Sequence, residues 1–242
     1  MAERRTEQVM GTAVTVEIRD PVVPAPALQR AFAQLRWVDR MFSTYDEHSE
    51  ISRINAGVLD VRDAHPLVRD VLTRCDALRA ATHGYFDVRA PLPGAIDPSG
   101  LVKGWAVDLA FAGLQRAGVR ALCIEAGGDL RVSGGPWRIG IRHPRQREHV
   151  AAVVVLDSGA VATSGAYERG EHIIDPHTGR PPTGTLSVTV IDRTLAQADA
   201  HATSAFAMGP RGPVWSARMT TMTILANEQV LLTPSFARLR AA

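Results

Sequence analysis

Apolar residues in this chain keep the helical period mainly in its first half and the strand period mainly in its second, and that segregation limits the folds open to it. From Leu28 the positions Leu28, Ala31, Phe32, Leu35, Val38, Met41 and Phe42 follow the spacing of one helix face, with Pro26 suited to its start. A second face runs from Pro66 through Val68, Val71, Leu72, Cys75 and Leu78, with Gly84 beyond it as a stop. A third helix starts near Ser99 or Gly100 and stops at Gly118. Strand patterns then take over. "ALCIEAGGDLRVSG" reads as strand, glycine turn, strand; "WRIGIRHP" alternates; "VAAVVVLDSGAVATSG" has the pattern of a hairpin about Asp157-Ser158-Gly159; "TLSVTVID" is a further strand. The early strand is "GTAVTVEI", and the late helix is "AQADAHATSAFAMG", with Thr194 as its N-cap and Gly209 past its end. "MTILANEQVLLT" closes the chain as a hairpin. Helices first and strands later favour an α+β domain, an antiparallel or mixed sheet packed by helices, over a doubly wound α/β fold. No repeat, low-complexity tract or long linker divides the chain, so residues 1–242 read as a single domain.

The charge balance, 27 basic against 25 acidic residues, offers no electrostatic surface for nucleic acid. No uncharged apolar run approaches the ~18 residues that would span a bilayer, so no membrane insertion is expected. Cys75 and Cys123 lie far apart without a CxxC, which argues against a disulfide framework or zinc site and suits a reducing compartment. The first residues, "MAERRTEQVMGTAVTVEIRD", carry neither an apolar leader core nor a lipid-attachment cysteine, and the expected location is cytoplasmic.

Chemistry-bearing residues gather in a few stretches. Lys103, in "DPSGLVKGWAVD", is the sole lysine among the 27 basic residues. A chain that otherwise uses Arg for positive charge points here to a place needing a compact ammonium. Gly100 and Gly104 flank it at an expected helix start, where free amides suit an anion, although the spacing is not that of a Walker A loop. A capped helix with a solvated lysine accounts for the same residues. In "EAGGDL", Gly127, Gly128 and Asp129 form either a plain hairpin turn or a place where backbone approaches a ligand closely. In "VATSGAYERGEHIIDPHTGRPP", Thr163, Ser164 and Gly165 end a strand, and His172 shares a short stretch with Thr, Ser, Tyr, Glu and Asp. Neither GxSxG nor HExxH occurs, which excludes the serine-hydrolase elbow and the zincin helix. Asp199 and Thr203 stack one helical turn apart and present the hard oxygen donors that suit Mg²⁺. The alternative for that pair is a dipole-favoured Asp and a Thr bonded back to a carbonyl. A hard cation, a lysine and glycine-lined loops together suit a phosphate ester or pyrophosphate.

Taken in order, "MGTAVTVEI", "FSTYDEHSEISRIN", "GYFDV", "DPSGLVKGWAVD", "EAGGDL", "VATSGAYERGEHIIDPHTGRPP" and "ADAHATSAFAMG" resemble the FAD:protein FMN transferases, the ApbE-type flavin transferases, over nearly the whole chain. The resemblance implies a T-fold-related α+β architecture. It also implies a Mg²⁺-dependent reaction that cleaves FAD and joins FMN through a phosphoester to a Thr or Ser of a target protein, releasing AMP. By resemblance, Asp199, Thr203 and the main-chain carbonyl of Val102 ligate the metal, Lys103 adds positive charge, and His172 serves proton transfer or phosphate orientation. Asn55, Thr163, Ser164 and Gly165 fall on positions lining the FAD site, Gly127, Gly128 and Asp129 would contribute nearby, Tyr85 or Phe86 would lie against the flavin or adenine, and Ala198, Ala200, Ala202 and Ala205 would let loops and nucleotide come close. Two departures stand out. Val102 occupies a position that is commonly Ala, and only "RAPLPGAI" separates "FDV" from "DPSG" where many members carry a longer cover over the flavin. Most members are exported or lipid-anchored, and since neither signal is read in the opening residues, the target protein is expected in the cytoplasm or at the cytoplasmic face of a membrane protein. The rival readings are a Mg²⁺-dependent FAD pyrophosphatase, with water in place of the protein hydroxyl, and a non-catalytic FAD-binding carrier.

Overall fold

The computed structural model describes residues 3–22, 25–90, 94–146, 148–166 and 173–241. Its elements run β1 (Glu3–Val9), β2 (Thr12–Ile18), α1 (Ala25–Phe42), α2 (Glu50–Asn55), α3 (Pro66–Ala81), α4 (Ser99–Arg116), β3 (Leu122–Ala126), β4 (Asp129–Ser133), β5 (Trp137–Arg142), β6 (Val150–Leu156), β7 (Gly159–Gly165), β8 (Thr185–Asp192), α5 (Leu195–Ala207), α6 (Gly212–Trp215), β9 (Thr220–Leu225), β10 (Val230–Leu232) and α7 (Pro234–Ala237). Eight strands form one sheet in the order β1-β2-β3-β4-β7-β8-β9-β10, every pairing antiparallel, while β5 and β6 pair with each other in a second sheet. The α+β expectation is met. No helix among the described residues is long and apolar enough to cross a membrane.

The large sheet buries both faces, and the strand period assigns residues to each. On β3, Leu122, Ile124 and Ala126 enter a core shared with α1, α3, α4 and α5, while Cys123 between them joins a second core with Trp137, Ile139, Ile141, Val154 and Phe236. α4 lies at the centre of the first core, packed by α1 and α5 and against β3 and β4. Its residues Leu101, Trp105, Val107, Ala110, Phe111 and Leu114 are all buried, the signature of a helix covered nearly all round. Leu101, Val107, Phe111 and Leu114 each contribute about 1.5–3 kcal/mol on leaving water, before entropy is charged.

The structure departs from the sequence pattern at three places. β1 was not legible because "ERRTEQV" is an edge strand, paired only with β2, and most of its side chains face water without alternation. α2 lies where the sequence reads as a polar loop. Six residues hold too little periodicity, and its signal is the cap alone, the Ser49 hydroxyl accepting from Ser52 N. The strands flanking Ser158-Gly159 do not form a hairpin: β6 pairs with β5, and β7 pairs with β4 and β8. A tight connection reads the same whether it reverses the chain within one sheet or passes it to another, and the partner is chosen by which apolar faces must meet.

α4 and α5 touch backbone to backbone. A Cβ built on Gly104 would lie 2.6 Å from the Leu195 carbonyl oxygen. One turn further along α4, Asp108 accepts from the amides of Leu195 (2.9 Å) and Ala196 (3.0 Å), and so holds the start of α5 alongside its own N-cap, Thr194. Arg131 ion-pairs with Asp108, with its guanidinium 4.6 Å from the centre of the Phe111 ring. Helix propensity alone would favour Gly104→Ala by about 1 kcal/mol. The neighbour here is backbone that cannot step aside, so the substitution is expected to destabilise by about 1–3 kcal/mol. The urea midpoint of unfolding checks this; an unchanged or raised midpoint contradicts the junction. A second expectation concerns the thiols. Burial, helped by Asp76, pushes Cys75 up to about 12, and burial, helped by Glu17 and Glu125, does the same to Cys123. The folded protein should therefore leave both cysteines unreactive to Ellman's reagent near pH 8, and the denatured chain should release two equivalents.

Candidate functional site

Three elements bring charge to one place: α4 carries Lys103, the turn between β3 and β4 delivers Asp129, and α5 carries Asp199. The Lys103 ammonium lies 3.1 Å from Asp199 Oδ2 and ion-pairs closely with Asp129 Oδ2. Side-chain exposures of 17%, 7% and 9% for Lys103, Asp129 and Asp199 show the pairs to be largely withdrawn from water. Charges so buried persist only when paired. Burial alone would lower the pKa of Lys103, but the attraction of Asp129 and then of Asp199 outweighs it and holds the ammonium above the ordinary lysine range.

The turn that presents Asp129 explains its glycines. Gly127 and Gly128 occupy the two central positions with φ of +60° and +91°, and the closing pair is Ala126 with Asp129. A Cβ on Gly127 would also meet the Thr12 hydroxyl at 2.8 Å. The second oxygen of Asp129 accepts from Thr163 N at 2.9 Å, which ties the turn to β7. The Thr163 hydroxyl lies 2.9 Å from that of Thr189 on β8. The next residue, Ser164, reaches towards α5, where its hydroxyl lies 3.3 Å from that of Thr203. Gly165 is buried at the end of β7, and Val102 is buried beside Lys103.

Asp199 and Thr203, one turn apart on α5, bring a carboxylate and a hydroxyl that could hold a hard divalent cation, and the Val102 carbonyl is the third donor that the resemblance implies. Among the described residues no three His, Cys, Asp or Glu side chains converge as a metal cage. A carboxylate, a hydroxyl and a carbonyl leave positions for water and for a ligand's own oxygens, which is how Mg²⁺ is usually held. A carbonyl engaged in its helix keeps a second lone pair for this.

Two predicted site residues have other immediate partners. Asn55 is tied at both ends of its amide to the backbone of Ile96, donating to its O at 3.0 Å and accepting from its N at 2.8 Å. This fastens the segment that leads into α4, and Asn55 also lines a cleft of ≈ 310 Å³ with Ile54, Arg89, Gly94, Ala95 and Ile96. Tyr85 accepts from Arg211 at 3.1 Å and meets the His177 ring edge-on at 4.5 Å, while the neighbouring Phe86 is buried under Gly100. His172 lies outside the described residues. Ala198, Ala200, Ala202 and Ala205 are fully buried in the core; their small size lets α5 press against α4 and the sheet. The expectation that they make room for nucleotide is corrected accordingly.

Sequence reasoning missed Asp108 and the Gly104 contact. Their signal was present as a glycine and a lone carboxylate one turn apart on a helix that is apolar from Leu101 to Leu114 save for Lys103 and Asp108. It also missed His201, which sits between Asp199 and Thr203 and turns to Asp192, Nδ1 to Oδ2 3.3 Å, with its ring edge-on to Trp215. Burial would raise Asp192, but the His201 ring beside it and the Arg193 amide that donates to it outweigh burial and hold the carboxyl below its ordinary range. That contact anchors another side of α5 and so helps fix its rotation.

Against known proteins, the model described as the ApbE family matches residues 10–92 and 89–225. A Rhodobacter capsulatus protein named FAD:protein FMN transferase is 37% identical over 172 residues, covering 64% of this chain and 33% of its own length. A Vibrio cholerae protein of the same name is 38% identical over 129 residues, covering 47% of this chain and 39% of its own. The chain thus spans between a third and two fifths of the length of these curated relatives. The solved structure of the flavin transferase ApbE from Vibrio cholerae superposes with a TM-score of 0.88 at 25% identity, covering 99% of this chain and 100% of that one.

Proposed function

The chain belongs to the ApbE family, and from that premise we propose that it transfers FMN from FAD to the hydroxyl of a Thr or Ser in a target protein, with Mg²⁺, releasing AMP. The observation that carries this reading is the convergence of Lys103, Asp129 and Asp199 from three separate elements, with Thr203 and Ser164 beside them.

In the proposed reaction the acceptor hydroxyl attacks the FMN-side phosphorus. The new phosphoester bond forms as the bond to the AMP-side bridging oxygen breaks, and AMP leaves. Mg²⁺ held by Asp199, Thr203 and the Val102 carbonyl would supply neutralisation of the pyrophosphate charge. Lys103 adds a fixed positive charge from α4, and its stem is placed by the Gly104 contact with α5. Ser164 orients the Thr203 hydroxyl, and Asp129, anchored by the Thr163 amide, orients the Lys103 ammonium. His172 is assigned by its motif to accept the proton of the attacking hydroxyl. Gly127 and Gly128, exposed at their turn, leave room for a ligand beside Asp129. Asn55 and Tyr85 act on the FAD site through the segments they hold. The proposed compartment is the cytoplasm, supported by two cysteines that remain free and buried.

The test is incubation with FAD and Mg²⁺, with and without a Thr-bearing acceptor peptide, reading AMP and flavinylated peptide by mass spectrometry. Flavinylated peptide with stoichiometric AMP supports the transferase. AMP with free FMN alone identifies a pyrophosphatase, and bound FAD without AMP identifies a carrier. Asp199→Ala is expected to lower AMP release at least about a hundredfold while the circular dichroism spectrum stays native. Lys103→Arg is expected to lose at least about tenfold, because a planar guanidinium does not fit between two carboxylates shaped for an ammonium. Wild-type turnover in either variant contradicts the role given to that residue.

A further inference from the structure

We propose that Lys103 is the resident cation of the Asp129–Asp199 pair, and that a divalent ion at Asp199 displaces the ammonium from that carboxylate and leaves it to Asp129, already its nearer partner. This inference rests on the metal reading above and adds what the chain's own residues must do for the metal to enter. In the arrangement described, Lys103 bridges the two carboxylates, 3.1 Å from Asp199 Oδ2 and closely paired with Asp129 Oδ2. That oxygen of Asp199 belongs to the same carboxylate that would bind the metal. A metal–oxygen bond of about 2.1 Å would set two cations on one small group. Their repulsion, in a setting so withdrawn from water, favours an ammonium drawn away from Asp199.

The geometry supplies the partner that would keep the ammonium. Asp129 is fixed by two devices independent of Lys103: the Thr163 amide on its other oxygen at 2.9 Å, and the Gly127-Gly128 turn immediately before it. The lysine stem has four rotatable carbons, so the ammonium can shift by an ångström or two while α4 stays seated on α5. An arginine fork could not make the same move between the same groups. The charge of the cluster changes sign in the process. An ammonium with two carboxylates carries one net negative charge and repels a pyrophosphate; with a divalent ion added it carries one net positive charge and attracts it. The cluster therefore favours metal before FAD. Asp129 is in this scheme a positioning residue, acting through Lys103.

Because Lys103 is the sole lysine, labelling lysine with ¹³C gives a single ε-methylene signal from this site. The experiment titrates labelled protein with Mg²⁺, with and without FAD, and measures Mn²⁺ affinity by electron paramagnetic resonance for wild type, Asp129→Asn and Asp199→Ala. The lysine signal is expected to move in step with Mg²⁺ occupancy in the wild type and to stay put in Asp199→Ala. Asp129→Asn, close in shape and lacking the landing carboxylate, is expected to bind Mn²⁺ at least about tenfold more weakly. A lysine signal unmoved at saturating Mg²⁺, or wild-type Mn²⁺ affinity in folded Asp129→Asn, overturns the proposal. Absence of any Asp199-dependent Mn²⁺ binding in the wild type overturns the metal reading itself, and the two failures are told apart by that control.

Discussion

The close approach of α4 and α5 at Gly104 is the constraint on which the rest of the site depends. With backbone against backbone, Asp108 reaches the first amides of α5 directly and joins Thr194 in satisfying groups that a helix start leaves open. Lys103 precedes the contact residue on one helix, and Asp199 lies one turn beyond Leu195 on the other. A side chain at position 104 would wedge the helices apart, and the ammonium would no longer span the two carboxylates. The buried alanines of α5 serve the same end, since they let that helix settle between α4 and the sheet. His201 and Trp215 hold α5 from another side.

Electrostatics complete what packing begins. Two carboxylates brought this far out of water are tolerable because Lys103 lies between them, and Lys103 remains charged because they are there. Neither partner would be stable alone at its position. Under the exchange proposed above, the same mutual dependence would make the cluster responsive: a divalent cation would compete for the Asp199 carboxylate, and the flexible stem of lysine would permit the change of partners. This gives a physical reason for the one lysine in a chain whose other basic residues are all arginine.

The large sheet carries the remaining parts. Its antiparallel order places β4 beside β7, so the Asp129 turn meets Thr163, and Ser164 on the opposite face of the pleat meets Thr203. The chain segments supplying these residues are up to about a hundred positions apart, and each alone has an ordinary structural explanation. Resemblance to the flavin-transferase family is what linked the fragments at the level of sequence, and the family match with its fold bears out that link.

What the sequence by itself determined is everything governed by local period and local sterics. The helices α1, α3, α4 and α5, the hairpin of β3 and β4, and the Thr194 cap were legible because apolar spacing, glycine and capping chemistry act within a few residues. The Asp199–Thr203 pairing on one helix face was legible for the same reason. Edge strand β1, the short helix α2 and the separation of β6 from β7 were decided only in three dimensions, since each depends on which surface a partner covers. So were the roles of Gly104, Asp108 and the α5 alanines. A glycine seated against a distant carbonyl looks in sequence like any other glycine, and a buried carboxylate declares its function only when folding brings its counter-charge from another element.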